Sequence, residues 1–166
     1  MTNLYEHYVP PILSVMLITY NYLCYITQAL EGVLPQKLNF TLEVVIGEDC
    51  STDGTRDVVI DYQNRYPELV RVLLPEINLG SMSNLIATMA ACRGEFIAIL
   101  EGDDYRTDPT KLQRQVDAMR ANPNCSMCFH DAQIVYETSP ARVPVVFSQF
   151  IAPHALPPPS VTSPPL

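Results

Sequence analysis

Short apolar runs alternate with amphipathic stretches along most of the chain, and this alternation predicts strands that are separated by helices. The first run, residues 12–19, is continuously apolar, which is typical of a central strand that is buried on both faces of a sheet. Later runs of the same kind predict strands at residues 42–49, 70–74 and 96–100.

The stretches between these runs carry the apolar spacing and the end signals of helices. The segment that begins near residue 55 has one helical apolar face and is closed by Pro67. In the last helix we expect Thr107 or Asp108 as the cap and Pro109 in the first position. The predicted helices cover residues 22–34, about 55–65, about 82–92 and about 109–121.

Strands that alternate with helices of this length predict an α/β fold with a doubly wound, mostly parallel sheet. A further strand or strand pair is predicted between Cys125 and Tyr136. From Ser139 onward the chain is rich in proline, and we predict a largely disordered tail, residues 139–166, that forms no ladder hydrogen bonds. The domain is then expected to span residues 1–138, and the abrupt change of composition suggests that it is incomplete at its C-terminus, through truncation or a shifted reading frame.

Composition narrows the class of protein and the class of partner. With 166 residues, of which 48% are hydrophobic, the chain can form one globular domain with a core. Its formal net charge of -8 argues against a nucleic-acid or anionic-membrane partner.

No apolar run is long enough for a transmembrane segment, and we detect no signal peptide, so a cytoplasmic location is expected. The five scattered cysteines are expected to be reduced thiols.

Acidic residues follow two of the predicted strands at the point where each strand ends. Glu48 and Asp49 end the second strand, and Glu101, Asp103 and Asp104 follow the fourth. The carboxyl ends of parallel strands meet in one crevice, where ligands of α/β proteins bind. Because crowded carboxylates repel one another, and because hard oxygen ligands suit a divalent cation, the sequence predicts a metal-dependent site in this crevice.

Residues 12–137 resemble the nucleotide-sugar-binding half of a family 2 glycosyltransferase of the GT-A fold, a Rossmann-like class that is inverting and usually metal-dependent. The resemblance depends on the order and spacing of short motifs, each of which is weak alone. These motifs are Thr19-Tyr20-Asn21, the segment of residues 48–55 that begins with Glu48-Asp49, Asn78-Leu79-Gly80 and Glu101-Gly102-Asp103-Asp104.

The resemblance implies roles for these residues. Asp49 is expected to accept a hydrogen bond from the uracil ring, and the backbone near Thr19 to flank the same base. Glu101 and Asp103 match the DxD motif of the family, and Asp103 or Asp104 would hold Mn or Mg on the diphosphate. The expected substrate-binding residues are Thr19, Tyr20, Asn21, Glu48, Asp49, Asn78, Gly80, Glu101 and Asp103.

The expected reaction is transfer of a sugar from a nucleoside diphosphate donor, most simply a UDP-sugar, to a saccharide or other hydroxyl acceptor. An inverting transferase needs a carboxylate base, which the resemblance places beyond a strand near residue 130. No segment after Tyr136 offers the acidic motif that this role requires, so the base is expected to be absent. A non-catalytic nucleotide-sugar-binding fragment is therefore the alternative. Dinucleotide-binding oxidoreductases and nucleotidyltransferases are excluded because no glycine-rich loop follows the first strand.

The same motifs also have purely structural interpretations. Asp53 is expected to cap the helix that follows it, with Gly54 in the turn. Asn78-Leu79-Gly80 is as consistent with a simple turn as with a ligand contact. For the acidic turn at residues 101–104, the alternative interpretation is a solvated cap of the next helix. The buried strand that precedes the turn favours the metal site over this alternative.

Overall fold

The structure is a computed structural model that describes residues 10–135 and the backbone of residues 145–146. The chain divides into two units, Met1–Cys125 and Ser126–Leu166. Within the described residues, no helix is long and apolar enough to cross a membrane.

The first unit is built on a sheet of parallel strands with the order β3-β2-β1-β4. Its strands are β1 (Leu13–Thr19), β2 (Leu42–Glu48), β3 (Val70–Leu73) and β4 (Phe96–Glu101). Its helices are α1 (Ile26–Glu31), α2 (Thr55–Arg65), α3 (Ser81–Ala91) and α4 (Lys111–Ala121). The predicted α/β class and parallel sheet are confirmed.

Helices cover both faces of this sheet because alternate strand residues point to opposite sides. On one face, β-strand residues such as Val15 and Ile46 form a buried core with apolar residues of α1, α2 and α4. On the other face α3 lies so close to β2 that a Cβ at Gly47 would stand 1.9 Å from Thr88 Oγ1. Glycine at position 47 is therefore required by the close approach of the helix.

Two helices begin later than the sequence predicted. Helix α1 starts at Ile26, not at residue 22; residues 23–25 form a turn, in which the amides of Tyr22 and Leu23 donate to the side chains of Thr55 and Asp53. Helix α4 starts at Lys111, not at Pro109. The Asp108 carboxylate accepts hydrogen bonds from the Thr110 amide at 2.8 Å and from its hydroxyl at 2.7 Å, so a separate turn precedes the helix.

The second unit contains the short strand β5 (Gln133–Ile134), which pairs antiparallel with β6 (Val145–Val146). The strand predicted between Cys125 and Tyr136 is thus confirmed for two residues only. The prediction that the proline-rich tail forms no ladder hydrogen bonds is wrong at β6, where two β-branched valines without proline can pair. The rest of the tail lies outside the described residues, and the domain boundary at residue 138 stays a prediction.

A buried carboxylate fixes the amino-terminal edge of the sheet. Glu43 on β2 is 3% exposed and accepts hydrogen bonds from Ser14 Oγ at 2.6 Å and from Arg93 at 2.7 to 2.9 Å. Burial raises the pKa of Glu43, but the hydrogen bonds from Ser14 and Arg93 outweigh burial and hold it below its ordinary value. The ionised form therefore stabilises the folded chain.

We expect Glu43→Gln to lower the free energy of unfolding by about 1–3 kcal/mol at neutral pH, because hydrogen bonds to a charged group are lost. A carboxylate whose pKa is lower in the folded state than in the unfolded state stabilises the fold at pH values above the unfolded-state pKa. This stabilisation is lost as the pH falls through the folded-state pKa. The wild type should therefore lose more stability than the variant on acidification, as measured by urea unfolding at several pH values. Glu95→Gln, at a solvent-exposed pair with Arg120, is the matched control and should change little. Parallel pH profiles for wild type and Glu43→Gln would contradict the assignment.

Candidate active site

The loops that follow β1 and β2 are tied together by hydrogen bonds at the carboxyl edge of the sheet. The Asn21 amide donates to Ser51 Oγ at 2.9 Å, and Asn21 Oδ1 accepts from the Thr52 amide at 2.8 Å. Asn21 adopts a φ of 56°, in the left-handed region where asparagine is tolerated. The predicted site residues at the end of β1 are therefore held by the loop after β2.

Asp53 makes the second tie between these loops. Its Oδ2 accepts from the Leu23 amide at 3.0 Å, while Oδ1 accepts from the Thr55 amide at 3.0 Å and from the Thr55 hydroxyl at 2.6 Å. Burial raises the pKa of Asp53, but the hydrogen bonds from Thr55 and Leu23 prevail and lower it. Gly54 follows with a φ of 101° in the turn. These contacts agree with a structural role for Asp53, but the N-cap of α2 is Gly54, so the expectation that Asp53 caps this helix is wrong.

Asp49 lies at the end of β2 and is 2% exposed. Its carboxylate accepts hydrogen bonds from the amides of Leu79 at 2.7 Å and Gly80 at 2.9 Å, and its carbonyl accepts from Asn78 Nδ2 at 2.9 Å. The motif Asn78-Leu79-Gly80 is thereby brought to the end of β2. A carboxylate has about four acceptor positions, so capacity for a further donor remains. The uracil contact stays a prediction.

Glu48 is fully buried beside Asp49. It accepts from the Ser51 amide at 2.6 Å and forms an ion pair with Arg56, which also donates to the Pro75 carbonyl at 2.8 Å. These contacts hold the loop after β2 against the segment that leads to α3. Glu48 thus has a structural partner for each oxygen, and its predicted contact with a substrate stays a prediction.

The acidic turn, residues 101–104, begins where β4 ends, and its three carboxylates are exposed. The Gly102 amide donates to the Ile18 carbonyl at 2.9 Å, and a Cβ at Gly102 would stand 2.6 Å from Thr19 Oγ1. Only glycine therefore allows the turn to lie against the end of β1. The Thr19 hydroxyl is buried there without a hydrogen-bond partner among the described residues.

Tyr22 joins this turn to the loop after β1, and it is not among the site residues predicted from the sequence. A Cβ at Gly102 would stand 3.1 Å from Tyr22 Cδ2, so the ring lies directly against the turn. Burial and the negative, hydrogen-bonded Asp103 carboxylate raise the pKa of the Tyr22 phenol, with smaller contributions from Glu101 and Asp104. Its position directly after the Thr19-Tyr20-Asn21 motif was the only available signal.

The predicted site residues fall into two groups by exposure. Those in the strands and at the end of β2 are buried, whereas the side chains of the loops and the acidic turn reach solvent, Tyr20 with 44% of its surface exposed. The buried residues are Thr19, Glu48 and Asp49; the exposed ones are Tyr20, Asn21, Asn78, Glu101, Asp103 and Asp104; Gly80 is half-buried and falls between the two groups.

A metal ion at the acidic turn would need ligands from its substrate as well as from the protein. In the part of the chain that the structure describes, no group of three or more His, Cys, Asp or Glu side chains converges to hold a metal. Mg²⁺ and similar cations are commonly held by one or two carboxylates together with substrate phosphates. The exposed carboxylates of Asp103 and Asp104 fit that mode of binding and not an all-protein cage.

Comparison with known sequences agrees with this arrangement of motifs. The family model of glycosyl transferase family 2 matches residues 14–152. The chain belongs to glycosyl transferase family 2. An uncharacterized protein of Mycobacterium tuberculosis is 42% identical over 125 residues, which are 75% of this chain and 36% of that protein. A Bacillus subtilis glycosyltransferase named for teichuronic acid biosynthesis is 32% identical over 120 residues, 72% of this chain and 46% of that protein.

Comparison with solved structures confirms the GT-A fold. S. aureus TarS 1–349 in complex with UDP has a TM-score of 0.58 and 30% identity, and the match covers 67% of this chain and 32% of that one. A mannosyltransferase from Pyrobaculum calidifontis, in complex with GDP-Man and Mn²⁺, has a TM-score of 0.59 at 23% identity, which shows the fold alone. The chain therefore spans about a third of the TarS chain.

We expect Asp53→Ala to lower the free energy of unfolding by about 1–2 kcal/mol, because the ties to Leu23 and Thr55 are lost. Amide hydrogen exchange should speed up locally at both residues. Asp61→Ala is the control, since Asp61 forms only an exposed ion pair with Arg65 among its described contacts. Unchanged exchange at Leu23 would show that Asp53 does not hold the two loops together.

Proposed function

We propose that this site binds a UDP-linked sugar together with Mn or Mg, and that the enzyme transfers the sugar to an acceptor hydroxyl with inversion. The observation that carries the proposal is the placement of Asp49 and the acidic turn on the two strands that flank β1. Membership of the family supports the class of reaction. TarS, a family structure at 30% identity, was solved with UDP and with UDP-GlcNAc, which supports a uridine donor.

Base recognition would use Asp49. Its carboxylate is held by the amides of Leu79 and Gly80, so its remaining acceptor positions are fixed in direction. A charge-assisted hydrogen bond from the uracil N–H would contribute about 1.5–3 kcal/mol. Thr19 lies beside Asp49, because the Asp49 amide donates to the Thr19 carbonyl at 3.0 Å. The backbone of β1 would therefore flank the same base.

The diphosphate would lie at the acidic turn. An anionic ligand is repelled by Glu101, Asp103 and Asp104 unless a cation neutralises them. Asp103 and Asp104 would hold that cation on the phosphate oxygens, with Glu101 near the ribose. When bound, the metal supplies Lewis-acid stabilisation of the negative charge that develops on the leaving group.

The proposed transfer is a single displacement. The acceptor oxygen forms a bond to the anomeric carbon on the face opposite the diphosphate, so the configuration inverts. The bond from that carbon to the diphosphate oxygen breaks, its electron pair leaves with the diphosphate, and the hydroxyl proton passes to a carboxylate base. The resemblance to the family places the base beyond the strand near residue 130. Asp131 and Glu137 are the last acidic residues in the sequence, and neither is assigned this role.

A nucleotide-sugar-binding module without transfer activity is the second candidate. It is favoured by the fact that the donor contacts proposed above are all found within residues 10–135, whereas no described carboxylate is assigned as the base. Binding of a UDP-sugar, without transfer of its sugar to any supplied acceptor, would favour this candidate.

We expect UDP to bind tightly only when Mn²⁺ or Mg²⁺ is present. Titration calorimetry with Mn²⁺ and with a chelator should differ by at least about tenfold in affinity, because the carboxylates otherwise repel the diphosphate. Asp103→Asn should abolish most of that difference. Asp117→Asn, an exposed carboxylate on α4, is the control and should retain it. Equal affinity for UDP in both conditions would contradict the metal assignment.

Asp49→Ala should weaken UDP binding by about tenfold or more, since each 1.4 kcal/mol corresponds to one decade. Because Asp49 also holds the loop at residues 78–80, pyrophosphate with Mn²⁺ is titrated in parallel. Base recognition predicts a loss for UDP and little change for pyrophosphate. An equal loss for both ligands would indicate a purely structural role for Asp49.

A further inference from the structure

We propose that Arg56 is a positioning residue for base recognition, because its guanidinium anchors the segment of residues 75–80 beside Asp49. In this segment the amides of Leu79 and Gly80 hold the Asp49 carboxylate, and the anchor keeps both amides in place. This inference rests on the proposed binding of a uridine donor. Arg56 directly follows the motif at residues 48–55 and is not among the predicted substrate-binding residues.

The Arg56 guanidinium joins the end of β2 to the start of this segment. Its Nε forms an ion pair with Glu48 Oε2 at 2.5 Å, and its Nη2 donates to the Pro75 carbonyl at 2.8 Å. Glu48 is fully buried, and its other oxygen accepts from the Ser51 amide at 2.6 Å. Because the donors of a guanidinium point in fixed directions, a carboxylate that is held in this way also fixes the direction of Nη2.

The backbone of Arg56 is held independently of this ion pair. Arg56 is the second residue of α2, and the residue before it, Thr55, is fully buried. Asp53 Oδ1 accepts hydrogen bonds from the Thr55 amide at 3.0 Å and from its hydroxyl at 2.6 Å. The guanidinium therefore extends towards Pro75 from a helix start that is itself fixed.

On its C-terminal side the segment is held by α3. Asn84 on this helix donates from Nδ2 to the Gly47 carbonyl of β2 at 2.9 Å, and this hydrogen bond is buried. The Asn84 amide also donates to the Gly80 carbonyl at 2.9 Å. The end of the segment is thus fixed to the sheet without any contribution from Arg56.

The N-terminal side of the segment has little apolar support. Residues 76–79 are exposed, and Ile77 exposes 70% of its surface. Apart from the contacts with Asp49, the described hydrogen bonds on this side are the one that Pro75 accepts from the guanidinium and a weak thiol contact, 3.6 Å from Cys50 Sγ to the Glu76 carbonyl. A segment without the guanidinium anchor would have to be ordered when a ligand binds, which weakens binding.

The position of the two amides sets the orientation of the Asp49 carboxylate. Oδ1 accepts from the Leu79 amide at 2.7 Å, and Oδ2 accepts from the Gly80 amide at 2.9 Å. In the proposed complex the uracil N–H donates to a remaining acceptor position, and such a bond weakens steeply when it is misaligned. Loss of the Arg56 anchor therefore lowers affinity for the base, whereas the diphosphate is bound at the acidic turn after β4.

Arg56→Lys removes the planar fork of donors but keeps a positive charge beside Glu48. In the full chain with Mn²⁺, we expect UDP affinity to fall by about three- to tenfold, as for the loss of one hydrogen bond, and pyrophosphate affinity to stay unchanged. A merely structural role would lower both affinities together. Arg65→Lys, on the same helix and in an exposed ion pair with Asp61, is the matched control and should bind both ligands like wild type. Equal losses for both ligands, or wild-type UDP binding by Arg56→Lys, would overturn the inference.

A double-mutant cycle tests whether Arg56 acts through Asp49. In the Asp49→Ala background, Arg56→Lys should cause no further loss of UDP affinity, because the carboxylate that it positions is absent. Additive losses would show that Arg56 affects binding by another route and would overturn the inference.

A measurement without ligand separates this inference from the proposed function. In the ligand-free protein, Arg56→Lys should speed up hydrogen exchange at the amides of Leu79 and Gly80. Exchange at Gly94, whose amide donates to Ser14 Oγ at 2.8 Å at the opposite edge of the sheet, should not change. If wild type binds no UDP, the proposed function fails, and exchange still decides whether Arg56 holds the segment. Unchanged exchange at Leu79 and Gly80 would overturn that role.

Discussion

The hydrogen bonds between the loops after β1 and β2 are the interaction on which the candidate site depends. Parallel pairing places Thr19 opposite Glu48 and Ile18 opposite Glu101, so the strand ends meet at one edge. Pairing alone does not fix the loops beyond those ends. The side chains of Asn21 and Asp53 fix the loops, because each accepts a hydrogen bond from a backbone amide of the other loop. The contact of Tyr22 with the acidic turn begins from this fixed pair of loops.

Burial divides the acidic residues of the site into two kinds. Glu48 and Asp49 are buried, and each has partners in the protein, because an unpaired buried carboxylate would be strongly destabilising. The acidic turn is exposed and its carboxylates remain hydrated, so their mutual repulsion is moderate until an anionic ligand arrives. The buried carboxylates therefore orient the loops, whereas the exposed carboxylates of the acidic turn are available for the proposed cation.

The sheet and the meeting of the acidic strand ends at one edge could be predicted from the sequence, because continuous apolar runs and acidic strand ends are local patterns. Helix α2 has the predicted limits, since Gly54 and Pro67 are local end signals. The start of α1 could not be predicted, because the amides of Tyr22 and Leu23 bond to residues about thirty positions away. The same reason explains why Tyr22 was missed and why the amide contacts of Asp49 were not foreseen.

The two edges of the sheet differ in how their charges are balanced. At the amino-terminal edge, Glu43 links Ser14 on β1 to Arg93, the second residue after α3, so its charge is used to join elements. At the carboxyl edge, the acidic turn joins the core through the Gly102 backbone and the Tyr22 ring, while its carboxylates add little to packing. A loss of charge should therefore reduce stability at the first edge and ligand binding at the second. Under the proposed function, stability at Glu43 and binding at the acidic turn depend on different carboxylates, so the two can be altered separately.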